Sequence, residues 1–88
     1  MNSLENFLAD LHTKGFKLDD EAIKFIYFGK KYTDASDSKV QTAIELTLKL
    51  QHRFDSGFYM SVLEEITQSG LTSRKKIENH FREKGISI

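Results

Sequence analysis

The sequence predicts a small all-α bundle of about five helices, folded as a single domain over residues 1–88. Three observations carry that prediction. Apolar residues recur at three- and four-residue spacing, as in Leu4, Phe7, Leu8 and Leu11 and again in Phe58, Val62 and Ile66. Ser3, Ser36 or Ser38, and Thr72 or Ser73 stand where side-chain oxygens can cap helix starts. Gly15, Gly57, Gly70 and Gly85 stand where helices should stop.

The first helix is expected near 3–13, with Leu4, Phe7, Leu8 and Leu11 as a core-facing stripe. The link Gly15-Phe16-Lys17-Leu18 follows, its Phe and Leu expected to plug the core between helices. A second helix near 20–31 has Asp19, Asp20 and Glu21 at its start and Lys30 and Lys31 at its end, the polarity the helix dipole favours. Between Ala22 and Phe28 only Lys24 is polar. A helix apolar nearly all round is expected at the centre of the bundle or partly covered by a second chain.

Thr33 to Ser38 is polar and small, and reads as a loop. Its aspartates lack the spacing of a calcium loop. The segment after it is ambiguous, because Val40, Ile44, Leu46, Leu48, Leu50 and Phe54 all fall on even positions, as in a strand. A strand of about fifteen residues would far exceed the usual five or six. Glu45 and Lys49 also form an i,i+4 pair in the favoured orientation. The expectation is therefore a helix near 37–55 whose broad apolar face meets two neighbours.

The fourth and fifth helices are expected near 58–69 and 73–84, meeting at a corner made by Gly70. Ile77 and Phe81 share one face of the last helix, and its bases lie mostly elsewhere. Gly85 closes it, leaving an apolar tail, Ile86-Ser87-Ile88.

Hydrophobic residues make up 39% of the chain and aromatics 11%, which argues for a packed core over disorder. The absence of Cys excludes disulfides and thiolate metal sites, and fits a cytoplasmic protein. MNSLENFLAD carries Glu5 and Asp10 without a basic leader, which is not the pattern of a signal peptide. No apolar run approaches the ~20 residues of a membrane span.

Net charge is zero, so no global attraction draws the chain to nucleic acid or acidic lipid. The charge is unevenly spread, at −3 over residues 1–22 and +3 over residues 71–88. The two ends are expected to attract one another in the fold.

No catalytic constellation emerges. His12, His52 and His80 lack metal-ligand spacing, and no nucleophile elbow or phosphate-binding glycine loop is present. Glu64-Glu65 reads as a solvated helix face. The expectation is a non-enzymatic chain with no cofactor, no metal and no small-molecule substrate.

Two functions remain. The favoured one is a small regulatory module that docks on another protein or on itself through Phe25, Phe28 and Tyr32, which share one helix face at i, i+3 and i+7. The other is binding to double-stranded DNA. EEITQSGLTSRKKIENHF resembles the helix-turn-helix of bacterial regulators, with Ile66 and Ile77 as buried anchors and Phe81 in the late aromatic position. Gly70 falls one place early for that family and His80 replaces an apolar residue. The resemblance implies that Ser73, Arg74, Lys75, Lys76 and Asn79 face the major groove, with Arg82 near phosphate. The run SRKKIENHFREKGI is also similar to the helical repeats of RecX-type recombinase regulators.

Overall fold

The computed structural model describes residues 3–85, and side-chain caps set the start of every helix. α1 (Leu4–Thr13) begins at Ser3, whose hydroxyl oxygen accepts the Asn6 N–H at 3.2 Å. α2 (Asp20–Thr33) begins at Asp19, which accepts from Ala22 at 2.8 Å. α3 (Asp37–Gln51) is capped by Ser36, α4 (Ser56–Gln68) by Asp55 and α5 (Arg74–Glu83) by Ser73, at 3.3, 3.0 and 3.2 Å. Each oxygen satisfies a first-turn N–H that has no partner inside its own helix. The five helices hold three-quarters of the described residues, which contain no strand.

The stretch 40–54 is helical as far as Gln51, so its even-position alternation is not a strand pattern. Its boundary differs from expectation. α3 ends at Gln51 instead of 55 because His52 turns left-handed at φ 62°, and Asp55 then caps a new helix. Gly57 therefore lies in the first turn of α4 and does not terminate α3.

The centre of the molecule is α3, not α2. α3 buries Val40, Thr42, Ala43, Ile44, Leu46, Thr47 and Leu48. It packs most extensively on α4, and also on α1 and α2. Thr42 and Thr47 are polar residues on that buried face, but each hydroxyl donates to a carbonyl one turn back, Ser38 at 3.0 Å and Ala43 at 2.7 Å. With its polar atom satisfied inside the helix, a threonine can enter the core. α2, expected at the centre or partly covered by a second chain, is not central and buries only Ile26 and Gly29 fully.

α2 is held to α4 by close contact. The Tyr59 hydroxyl donates to the Ile26 carbonyl at 2.8 Å, and its ring meets those of Phe25 and Phe54 at centroid distances of 6.1 and 5.4 Å. Burial raises the phenol's pKa, so the hydroxyl stays a donor at any physiological pH. Gly29 makes the approach possible, since a Cβ there would stand 2.9 Å from Tyr59 Cε2. Phe16, expected as a plug, is 43% exposed, while Leu18 packs against the core.

Ion pairs place the remaining elements. Asp37 accepts the Leu4 N–H at 3.1 Å and pairs with Lys30 at 3.3 Å, joining the starts of α1 and α3 to the end of α2. α5 buries Ile77 and Phe81 and is tied to α4 through Glu65, which meets Lys84 at 2.8 Å and His80 at 3.0 Å. Arg74 pairs with Glu45, in place of the expected Glu45–Lys49 pair. The basic end of the chain thus pairs with acids of α3 and α4. Among the described residues no ion pair joins it to the acidic start, where Asp10 is taken by Lys14. The tail Ile86-Ser87-Ile88 lies outside the described residues. Among the helices described, none is long and apolar enough to cross a membrane.

Candidate docking face

On α2 Ile26 and Gly29 are buried against the bundle and Phe25 packs on its core, while the half-buried Thr33 donates its hydroxyl to the Gly29 carbonyl of its own helix at 2.8 Å. Phe25, Phe28 and Tyr32 fall at the three- and four-residue spacing that makes a second, adjoining stripe. Their rings form one ladder. Phe25 lies 5.9 Å from Phe28, and Phe28 stacks on Tyr32 at 5.7 Å with planes 19° apart.

The inner rung, Phe25, is half-buried and edges onto Tyr59. The outer two are open, Phe28 at 55% and Tyr32 at 68% exposure. The ladder therefore leads from the core to solvent. Lys24 and Lys31 are exposed on the same helix, each directly preceding a rung.

At its inner end the ladder opens into a cleft of about 610 Å³ between the start of α2 and the α3–α4 joint. Phe25 belongs to both. Leu18, Ala22, Leu48 and Phe54 give the cleft apolar walls, and Lys17 and Arg53 lie among its charged lining. Phe16, which failed to enter the core, stands here instead.

The six residues expected to meet DNA are all exposed on α5 or its cap. Several are already engaged. Ser73 caps the helix, Arg74 pairs with Glu45, and Arg82 donates to Asn79 at 3.3 Å. Lys75 and Lys76 extend from the helix with no ion pair to a described residue.

Glu65 departs from the solvated face expected of Glu64-Glu65. Lys84, His80 and Ser69 all bond its carboxylate, and together they lower its pKa to about 2. That cluster fastens α5 to α4. His12 and His52 are exposed, and no three His, Asp or Glu residues among those described stand together to hold a metal.

The sequence reading found the three rungs but passed over Lys24, Lys31 and the cleft. The two lysines carry a legible signal, since they lie seven residues apart with one on either side of Phe28. The cleft had none, because its walls come from two stretches of chain far apart in sequence, 15–25 and 48–56.

A central α3 packed against α4, α1 and α2, with aromatic rings left open along α2, defines a small all-α domain whose distinguishing surface is apolar. The chain belongs to the family of unknown function DUF6123, which matches residues 1–87. No curated protein and no solved structure matches the chain.

Proposed function

We propose that this chain is a small non-enzymatic regulatory module of the cytoplasm, which works by docking on another protein through Phe25, Phe28 and Tyr32. The single observation that carries the reading is the open ladder. Tyr32 and Phe28 are more than half exposed and in contact with one another, although the bundle has a complete apolar core without them. Contiguous aromatic surface on a small domain costs solubility and is the usual composition of an interface centre. Because the inner rung is anchored on Tyr59, the face is preorganised, which lowers the entropy lost on binding.

A second reading, DNA binding through α5, is favoured by Lys75 and Lys76 alone. Both are exposed and form no ion pair among the described residues, and Arg82 lies on the same helix. The reading is weaker because Arg74 is neutralised by Glu45 and the chain as a whole carries no net charge.

One experiment separates the two. A benzoylphenylalanine photo-crosslinker is placed at position 32 or at position 76 of the full chain, expressed in its own cells. The docking reading expects a discrete protein adduct from position 32 that disappears on Phe28→Asp. Nucleic-acid adducts from position 76, with none to protein from position 32, would replace it by the DNA reading.

A further inference from the structure

The exposed ladder of α2 has the spacing of one half of a coiled-coil seam. Phe25, Phe28 and Tyr32 occupy a, d and a of a heptad, and Lys24 and Lys31 then fall at successive g positions, where flanking charges select the partner. The e positions on the other flank are Ala22 and Gly29, both without charge, and Gly29 is spent on the contact with Tyr59 and Met60. From Lys24 to Tyr32 the unpaired charges of α2 are all positive, since Lys30 is held by Asp37 and no acid occurs in that stretch. Acid appears at the cap and first turn, as Asp19, Asp20 and Glu21; Asp19 and Glu21 line the cleft with Lys17 and Arg53, and Arg53 is paired with Asp55.

We infer that the occupant of this face is an acidic amphipathic helix of another protein, lying along α2 with an apolar anchor in the cleft. The inference rests on the docking reading and specifies its partner. A second copy of the chain does not fit. Antiparallel pairing of two α2 helices sets Lys24 and Lys31 against the same lysines, and parallel pairing sets Lys24 against Gly29 and Lys31 against Ser36, beyond the end of α2. Neither supplies the acid that the g positions lack, whereas a partner with Asp or Glu beside its own apolar seam does. The run from the cleft to Tyr32 is about 15 Å long at 1.5 Å per residue, so about three turns of partner helix cover it.

The test uses a displayed library of fourteen-residue helix-forming peptides, with Leu fixed at a and d and the other positions randomised. It is panned on the full chain and on Lys24→Glu/Lys31→Glu. The expected binders to the unmodified chain are enriched in Asp and Glu at the flanking positions. In fluorescence anisotropy they lose about tenfold or more in affinity against the double variant, and they weaken as salt rises. The variant itself should select basic flanks instead.

Binders that require Phe28 but have neutral or basic flanks overturn the partner's chemistry and leave the docking face standing. Binders indifferent to Phe28→Asp overturn the docking face itself. Failure to recover any binder overturns the helical occupant. A dimer in sedimentation equilibrium that dissociates on Phe28→Asp would assign the face to a second copy, against the inference.

Discussion

Gly29 and Tyr59 show how much of this fold rests on one close contact. Replacing a mid-helix Gly by Ala ordinarily stabilises by about 1 kcal/mol. Here the added Cβ would meet Tyr59 Cε2 at 2.9 Å and its hydroxyl oxygen at 3.2 Å, in a ring fixed by Phe25, Phe54 and its own hydrogen bond. Gly29→Ala should therefore destabilise, by about 1–3 kcal/mol in urea unfolding. The same change in a Tyr59→Leu background should recover the usual gain. Tyr59→Phe leaves the ring and removes the donor to Ile26, and should cost about 1–2 kcal/mol.

Two carboxylates make stability depend on acid. The Leu4 N–H, and then Lys30, lower the pKa of Asp37, while Lys84, His80 and Ser69 lower that of Glu65 to about 2. Both groups bind protons more weakly folded than unfolded. Their contribution is thus complete above the ordinary carboxylate range near pH 4, and is lost as pH falls through the folded values. Unfolding midpoints should drop between about pH 5 and pH 2, and Asp37→Asn/Glu65→Gln should flatten that slope. An unchanged slope would mean the two clusters do not hold the folded state.

At the scale of elements, most residues that mark helix ends were legible in the sequence, the α3–α4 joint at His52 and Asp55 excepted, and the rank order of the helices was not. Ser3, Ser36, Ser73 and Gly70 stand where local chemistry puts them, because a cap depends only on its own turn. Centrality depends on partners far along the chain. α2 looked central, or partly covered by a second chain, because it has little polarity, and α3, expected to meet only two neighbours, carries Thr42 and Thr47 as polar interruptions in its buried face. Once the hydroxyls bond back within the helix, that interruption disappears. Thr47→Val should accordingly be near neutral or slightly stabilising, since it removes a hydroxyl bonded only to a carbonyl of its own helix.

α5 is the least embedded element. It makes sparser contacts than the other helices and depends on Ile77, Phe81 and the Glu65 cluster. Its amides should exchange hydrogen well before those of α3 and α4. Equal protection of all five helices would contradict that ranking.

For the whole molecule, the candidate site was half legible. The i, i+3, i+7 spacing picked out Phe25, Phe28 and Tyr32, since residues that share a helix face do so whatever else the chain does. Which way that face points was not legible, because Ile26 and Gly29 are the buried residues of α2, and of the three rings only Phe25 packs on the core. The cleft beside Phe25 required the α1–α2 link and the α3–α4 joint to meet, a pairing no local pattern contains.

The proposed docking face requires that the ladder lie at the surface, and the urea unfolding of Phe28→Asp tests that requirement. A free surface ring predicts a native helical spectrum and a loss within about 1 kcal/mol, most of it the lower helix propensity of Asp. A loss of about 3–5 kcal/mol, the cost of removing a core Phe, would place the ring inside the fold and contradict the docking face.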